Sequence, residues 1–110
     1  MHTNNDLRNF FIVANARFFD NRIDPSYTIA FKRMRNDGEH IPTTKTILIN
    51  SDFKKHGDMA FIVVLHEMAH ADLHGYIGYE DKTGRGNGHG MRYQAKLDEL
   101  YKLGAYDGLL

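Results

Sequence analysis

From Asp58 to His74 the chain carries neither proline nor glycine, and it is apolar at every position from Met59 through Ala60, Phe61, Ile62, Val63 and Val64 to Leu65. The segment Phe61 to Leu65 would suit a strand taken alone, because its branched side chains favour extended backbone. The apolar character continues through Met68, Ala69 and Leu73, however, over about four helical turns, too long for an ordinary strand. Gly57-Asp58 supplies a start signal and Gly75 a stop. A helix that is apolar nearly all round must be buried. The rest of the chain is therefore expected to wrap around it.

That helix contains His66-Glu67-Met68-Ala69-His70, an H-E-x-x-H run. Two histidines four residues apart leave a helix on the same face, so both imidazoles can reach one Zn²⁺ ion. Glu67 lies beside the first of them. A carboxylate there is the expected general base for water activated by the metal, which is the arrangement of a zinc hydrolase.

A hydrolytic zinc site needs three protein ligands and an open position. His74 continues the helical series, but it lies about 12 Å of rise beyond His66, and three ligands in a row along one helix converge poorly. The metzincin spacing is excluded, since it needs glycine and histidine where the chain has Leu73 and Tyr76. Glu80, Asp81, Asp98 and Glu99 are carboxylate alternatives, with Glu99 suited to a ligand on a following helix. His89 is preferred, because glycines at 86, 88 and 90 allow the backbone to turn back over the helix. It also stands where a last helix would begin, whose positive end keeps an imidazole neutral. For the developing oxyanion, Tyr79, Tyr93 and Tyr101 are candidate donors, with none preferred.

The 110 residues contain no cysteine, which removes disulfides, thiol nucleophiles and cysteine-ligated zinc. Acidic and basic residues balance at 14 each, so no global field draws the protein to nucleic acid or an anionic membrane. Local basic groups are Lys32, Arg33 and Arg35, Lys54 and Lys55, and Arg85, Arg92 and Lys96. They allow recruitment to DNA-bound substrates but support it weakly. No apolar leader or membrane-length segment is present, and a single cytoplasmic domain spanning 1–110 with no membrane partner is expected. His2, His40 and His56 have no motif partners and read as surface or loop residues.

Upstream, Leu7, Phe10, Phe11, Ala14 and Phe18 recur at helical spacing behind Thr3, Asn4 and Asn5, predicting a first helix to about Phe19 or Asn21. Tyr27 to Phe31 reads as a strand, followed by a polar turn at Asn36-Asp37-Gly38 and a second strand from Lys45 to Ile49. The end of that strand, Ile49-Asn50, is expected along the edge of the cleft. Ser51-Asp52 can cap a short turn through Lys55, and a last helix spans about Met91 to Leu103. The fold class is α+β, with helices on one face of a small sheet.

His66 to His74, the glycine-rich stretch and Gly88-His89-Gly90-Met91-Arg92-Tyr93 together resemble the SprT-like (Spartan) metallopeptidases, whose pattern is HExxHA, a loop, then HGxxF. Tyr93 replaces the phenylalanine, and Ile47 to Asn50 resembles the strand before the family's active-site helix. The resemblance covers most of the chain. It implies a compact zincin-like domain, with His66, His70 and His89 as zinc ligands and Glu67 as catalytic base in hydrolysis of protein or peptide substrates. Family members acting on DNA–protein crosslinks usually carry additional DNA-binding or zinc-ribbon segments, so the resemblance here is to a stand-alone protease core of phage or mobile-element type. The competing expectation is a zinc-stabilised binding or structural module without catalysis, which would have no use for Glu67.

Overall fold

A computed structural model describes residues 1–74 and 91–109, with side chains for 1–73 and 94–109. The first helix, α1 (Asn4–Phe18), starts at a reciprocal cap. The Thr3 hydroxyl accepts from the Asp6 amide at 3.3 Å, and the Asp6 carboxylate accepts from the Thr3 amide at 2.8 Å. Leu7, Phe11 and Ala14 form its buried face.

Three strands follow: β1 (Thr28–Lys32), β2 (Gly38–Ile41) and β3 (Thr46–Asn50). They form a sheet in the order β1-β3-β2, with β1 parallel and β2 antiparallel to β3. A 3₁₀ turn at Ser51–Lys55 leads into α2 (Gly57–His74), and α3 is Met91–Lys102. The architecture is α+β. Ile29, Ile47 and Ile49 are buried on the sheet and form one core with Leu7 and Phe11 of α1, Val64, Leu65 and Met68 of α2, and Leu100 of α3. No described helix is both long and apolar enough to cross a membrane.

Two expectations are corrected. The segment expected as a turn ending at Gly38 instead opens β2. Its sequence, Gly-Glu-His-Ile, has low strand propensity and little alternation, so pairing with β3 makes it a strand. Asn50 fixes the entry to it, donating from its side-chain amide to the carbonyls of Met34 and Asn36, both at 3.0 Å, and from its backbone N–H to Asp37 at 2.8 Å. Consequently β3 is the central strand and the cleft-facing edge belongs to β2.

A buried ion cluster ties α2 to its surroundings. Arg22 donates from Nε and Nη2 to the two oxygens of Asp72, at 3.0 and 2.9 Å, and Lys96 Nζ of α3 lies 3.3 Å from the same carboxylate. The side chains of Asp72 and Lys96 are 2% and 4% exposed. The Lys96 ammonium also sits 4.5 Å from the centroid of the Phe19 ring.

Candidate metal centre

The middle of α2 is anchored by Val63, Val64, Leu65, Met68 and Ala69, all buried, which fixes the rotation of the helix about its axis. With those positions turned inward, His66 and His70 emerge half-buried one turn apart, as their spacing requires. Their rings are 5.1 Å apart between centroids and inclined by 67°. One nitrogen of each and a carboxylate oxygen of Glu67 lie within 4.8 Å of one another. Ligand atoms on one zinc ion, with bonds of about 2 Å, are separated by roughly 3–4 Å. Two imidazoles are donors that suit zinc, and the Glu67 carboxylate stands beside them.

These residues border a cleft of about 530 Å³ between α2 and the edge strand. Met59, Ile62 and Val63 form the wall on the helix side, and Asn36 to His40 form the opposite wall. Glu67 is only 6% exposed. Burial, reinforced by the negative charge of Glu39, pushes its carboxyl up to about 7 in the metal-free protein. The group is thus a carboxylate in an apolar wall that can hold or release a proton near neutrality.

His40, expected as an ordinary loop residue, instead stands on β2 in the cleft wall. Its Nε2 is 2.7 Å from the Tyr27 hydroxyl, and the two rings stack at 5.6 Å. Gly38, Glu39 and His40 carry no motif, and their place beside the HExxH helix depends on the pairing of β2 with β3, which no local signal announces. The periodicity of α2, by contrast, was sufficient to bring His66, Glu67 and His70 together.

The alternative ligands divide between places. Glu99 accepts from Lys96 at 3.1 Å and Asp98 pairs with Lys102 at 2.9 Å, and neither borders the cleft. Tyr101 is 67% exposed and is likewise absent from the cleft wall. Lys96 is buried in the Asp72 cluster, so it is removed from any basic surface. His89, Glu80, Asp81, Tyr79 and Arg85 lie outside the described residues, as do the side chains of His74, Arg92 and Tyr93. Neither a protein-family model, nor a curated protein, nor a solved structure matches the chain.

Proposed function

We propose that the protein is a zinc-dependent metalloendopeptidase with a zincin-like core of the SprT-like kind, in which His66, His70 and His89 hold the ion and Glu67 is the general base. The observation that carries this reading is the convergence of His66, Glu67 and His70 on one face of a buried helix, opening into a cleft with a strand edge as its far wall. A closed structural site would require neither the glutamate nor the open cleft.

Bound zinc would supply Lewis acidity, polarising the scissile carbonyl and favouring ionisation of water. Glu67 takes a proton from the attacking water and delivers it to the nitrogen of the departing amine, so the peptide C–N bond breaks without an acyl-enzyme. Its place beside His66 and His70 in the cleft wall suits both halves of that task. β2 is an edge strand of the sheet, beside which an extended peptide can be added as a further strand. Met59 and Ile62 give the cleft an apolar wall for its side chains.

The test combines metal content by mass spectrometry with casein cleavage. Wild type is expected to hold stoichiometric zinc and to cleave. His66→Ala and His89→Ala should lose the zinc, while Glu67→Gln should retain it and stop cleaving. Stoichiometric zinc with no cleavage under any condition, added DNA included, would favour a metal-stabilised binding module. Absence of zinc binding would overturn both readings.

A further inference from the structure

Gly38, at the start of the edge strand, packs against the face of α2 that carries Val63 and Glu67. A β-carbon placed there would lie 2.7 Å from Val63 Cγ1, 3.1 Å from Glu67 Oε2 and 3.1 Å from the Leu48 carbonyl oxygen. The glycines with left-handed backbone among the described residues are Gly104 and Gly108, so what Gly38 provides is space rather than an unusual backbone angle. Glycine inside a strand otherwise weakens it.

The three neighbours differ in how they can yield. Leu48 O belongs to the backbone of the central strand, between the paired β1 and β2. Val63 is branched at Cβ, is held to one favoured rotamer in a helix, and is buried. The Glu67 carboxylate is the end of a flexible side chain that borders the cleft, and it is the group that swings most cheaply. A methyl group at position 38 therefore presses on packing through Val63 and on chemistry through Glu67.

We propose that Gly38 is a positioning residue for Glu67, leaving open the volume that lets the carboxylate stand where the attacking water must be met. This inference rests on the peptidase reading. It gives the one residue of β2 without a side chain a part in the active-site geometry, and it accounts for a glycine in an edge strand that has no turn to make.

The experiment compares Gly38→Ala with Gly38→Ala/Val63→Ala, which removes the contact with Val63 but leaves that with Glu67. Gly38→Ala should bind zinc as wild type does, with kcat lowered about 10- to 100-fold, as for misplacement of a reacting group by about an ångström, and KM within about twofold. The double variant should recover denaturation midpoint without recovering kcat. A readout independent of activity is a cycle with Glu67→Ala in chelated protein: the midpoint lost to Gly38→Ala should shrink once the carboxylate is absent. Unchanged kcat in Gly38→Ala, joint recovery of kcat and midpoint in the double variant, or no coupling in the cycle would each overturn the role given to Gly38. An inactive wild type would instead overturn the peptidase reading, and this inference with it.

Discussion

Asp72→Ala is expected to be among the most damaging single changes away from the candidate metal centre. Among the described residues Asp72 faces two cations, and they are not equivalent. The Arg22 side chain is 35% exposed and can return to water, whereas the Lys96 side chain is 4% exposed and cannot do so without moving α3. Removing the carboxylate leaves that ammonium with the face of Phe19 and the half-exposed Glu99, 3.1 Å away. Breaking a buried pair from one side typically costs about 3–5 kcal/mol, and the remaining Glu99 contact places the expectation near the lower end, about 3 kcal/mol. Small domains are stable by only about 5–15 kcal/mol, so the loss is a large share of the total. In melting temperature it corresponds to a fall on the order of 15 °C. The assay is urea denaturation followed by circular dichroism for wild type, Asp72→Ala, Lys96→Met and the double variant. Pairing Asp72→Ala with Lys96→Met should recover most of the loss, because the stranded charge is then replaced by an apolar chain of similar length. Asp98→Ala, which breaks the exposed pair with Lys102, serves as control and should stay within about 0.5 kcal/mol. A loss below about 1 kcal/mol for Asp72→Ala, or a double variant as unstable as the single one, would refute the stranded-charge argument.

Two further outcomes follow from the buried polar groups. In chelated protein, Glu67 has a folded pKa near 7 against 4.5 for an unperturbed carboxyl. Folding therefore favours its protonated form: the penalty is absent below the unfolded value, grows between the two and is complete above the folded one. Glu67→Gln should accordingly stabilise the metal-free protein by on the order of 2–3 kcal/mol at pH 8 and by almost nothing near pH 4, read from urea midpoints at the two pH values. No gain at pH 8 would mean that the carboxylate is not penalised by burial. Asn15 copies a backbone pairing, donating to the Ile23 carbonyl at 2.8 Å and accepting from its N–H at 3.2 Å, while 4% exposed. Asn15→Ala should cost about 1–3 kcal/mol through two buried groups left without partners, and an unchanged urea midpoint would show that water replaces the amide.

What the sequence determined by itself is the part of the protein in which information is local. The capped amphipathic α1, the apolar α2, the 3₁₀ turn at Ser51–Lys55 and α3 follow from periodicity and end signals, with limits displaced by up to three residues. The convergence of His66, Glu67 and His70 follows as well, because helical geometry alone sets the distance between residues four apart. β2 was not legible, since Gly38 to Ile41 has no intrinsic strand preference and is extended only because β3 lies beside it. The same pairing brings Gly38 against Glu67 and His40 into the cleft, and it makes β3 central rather than an edge. Lys96 is a further case: on the sequence it is one cation among many, and only the approach of α3 to α2 makes it a buried partner of Asp72. Helical spacing is dictated by bonds within one segment, whereas a cleft wall and a buried ion cluster require segments far apart in the chain to meet, and that was decided by the packing of the whole domain.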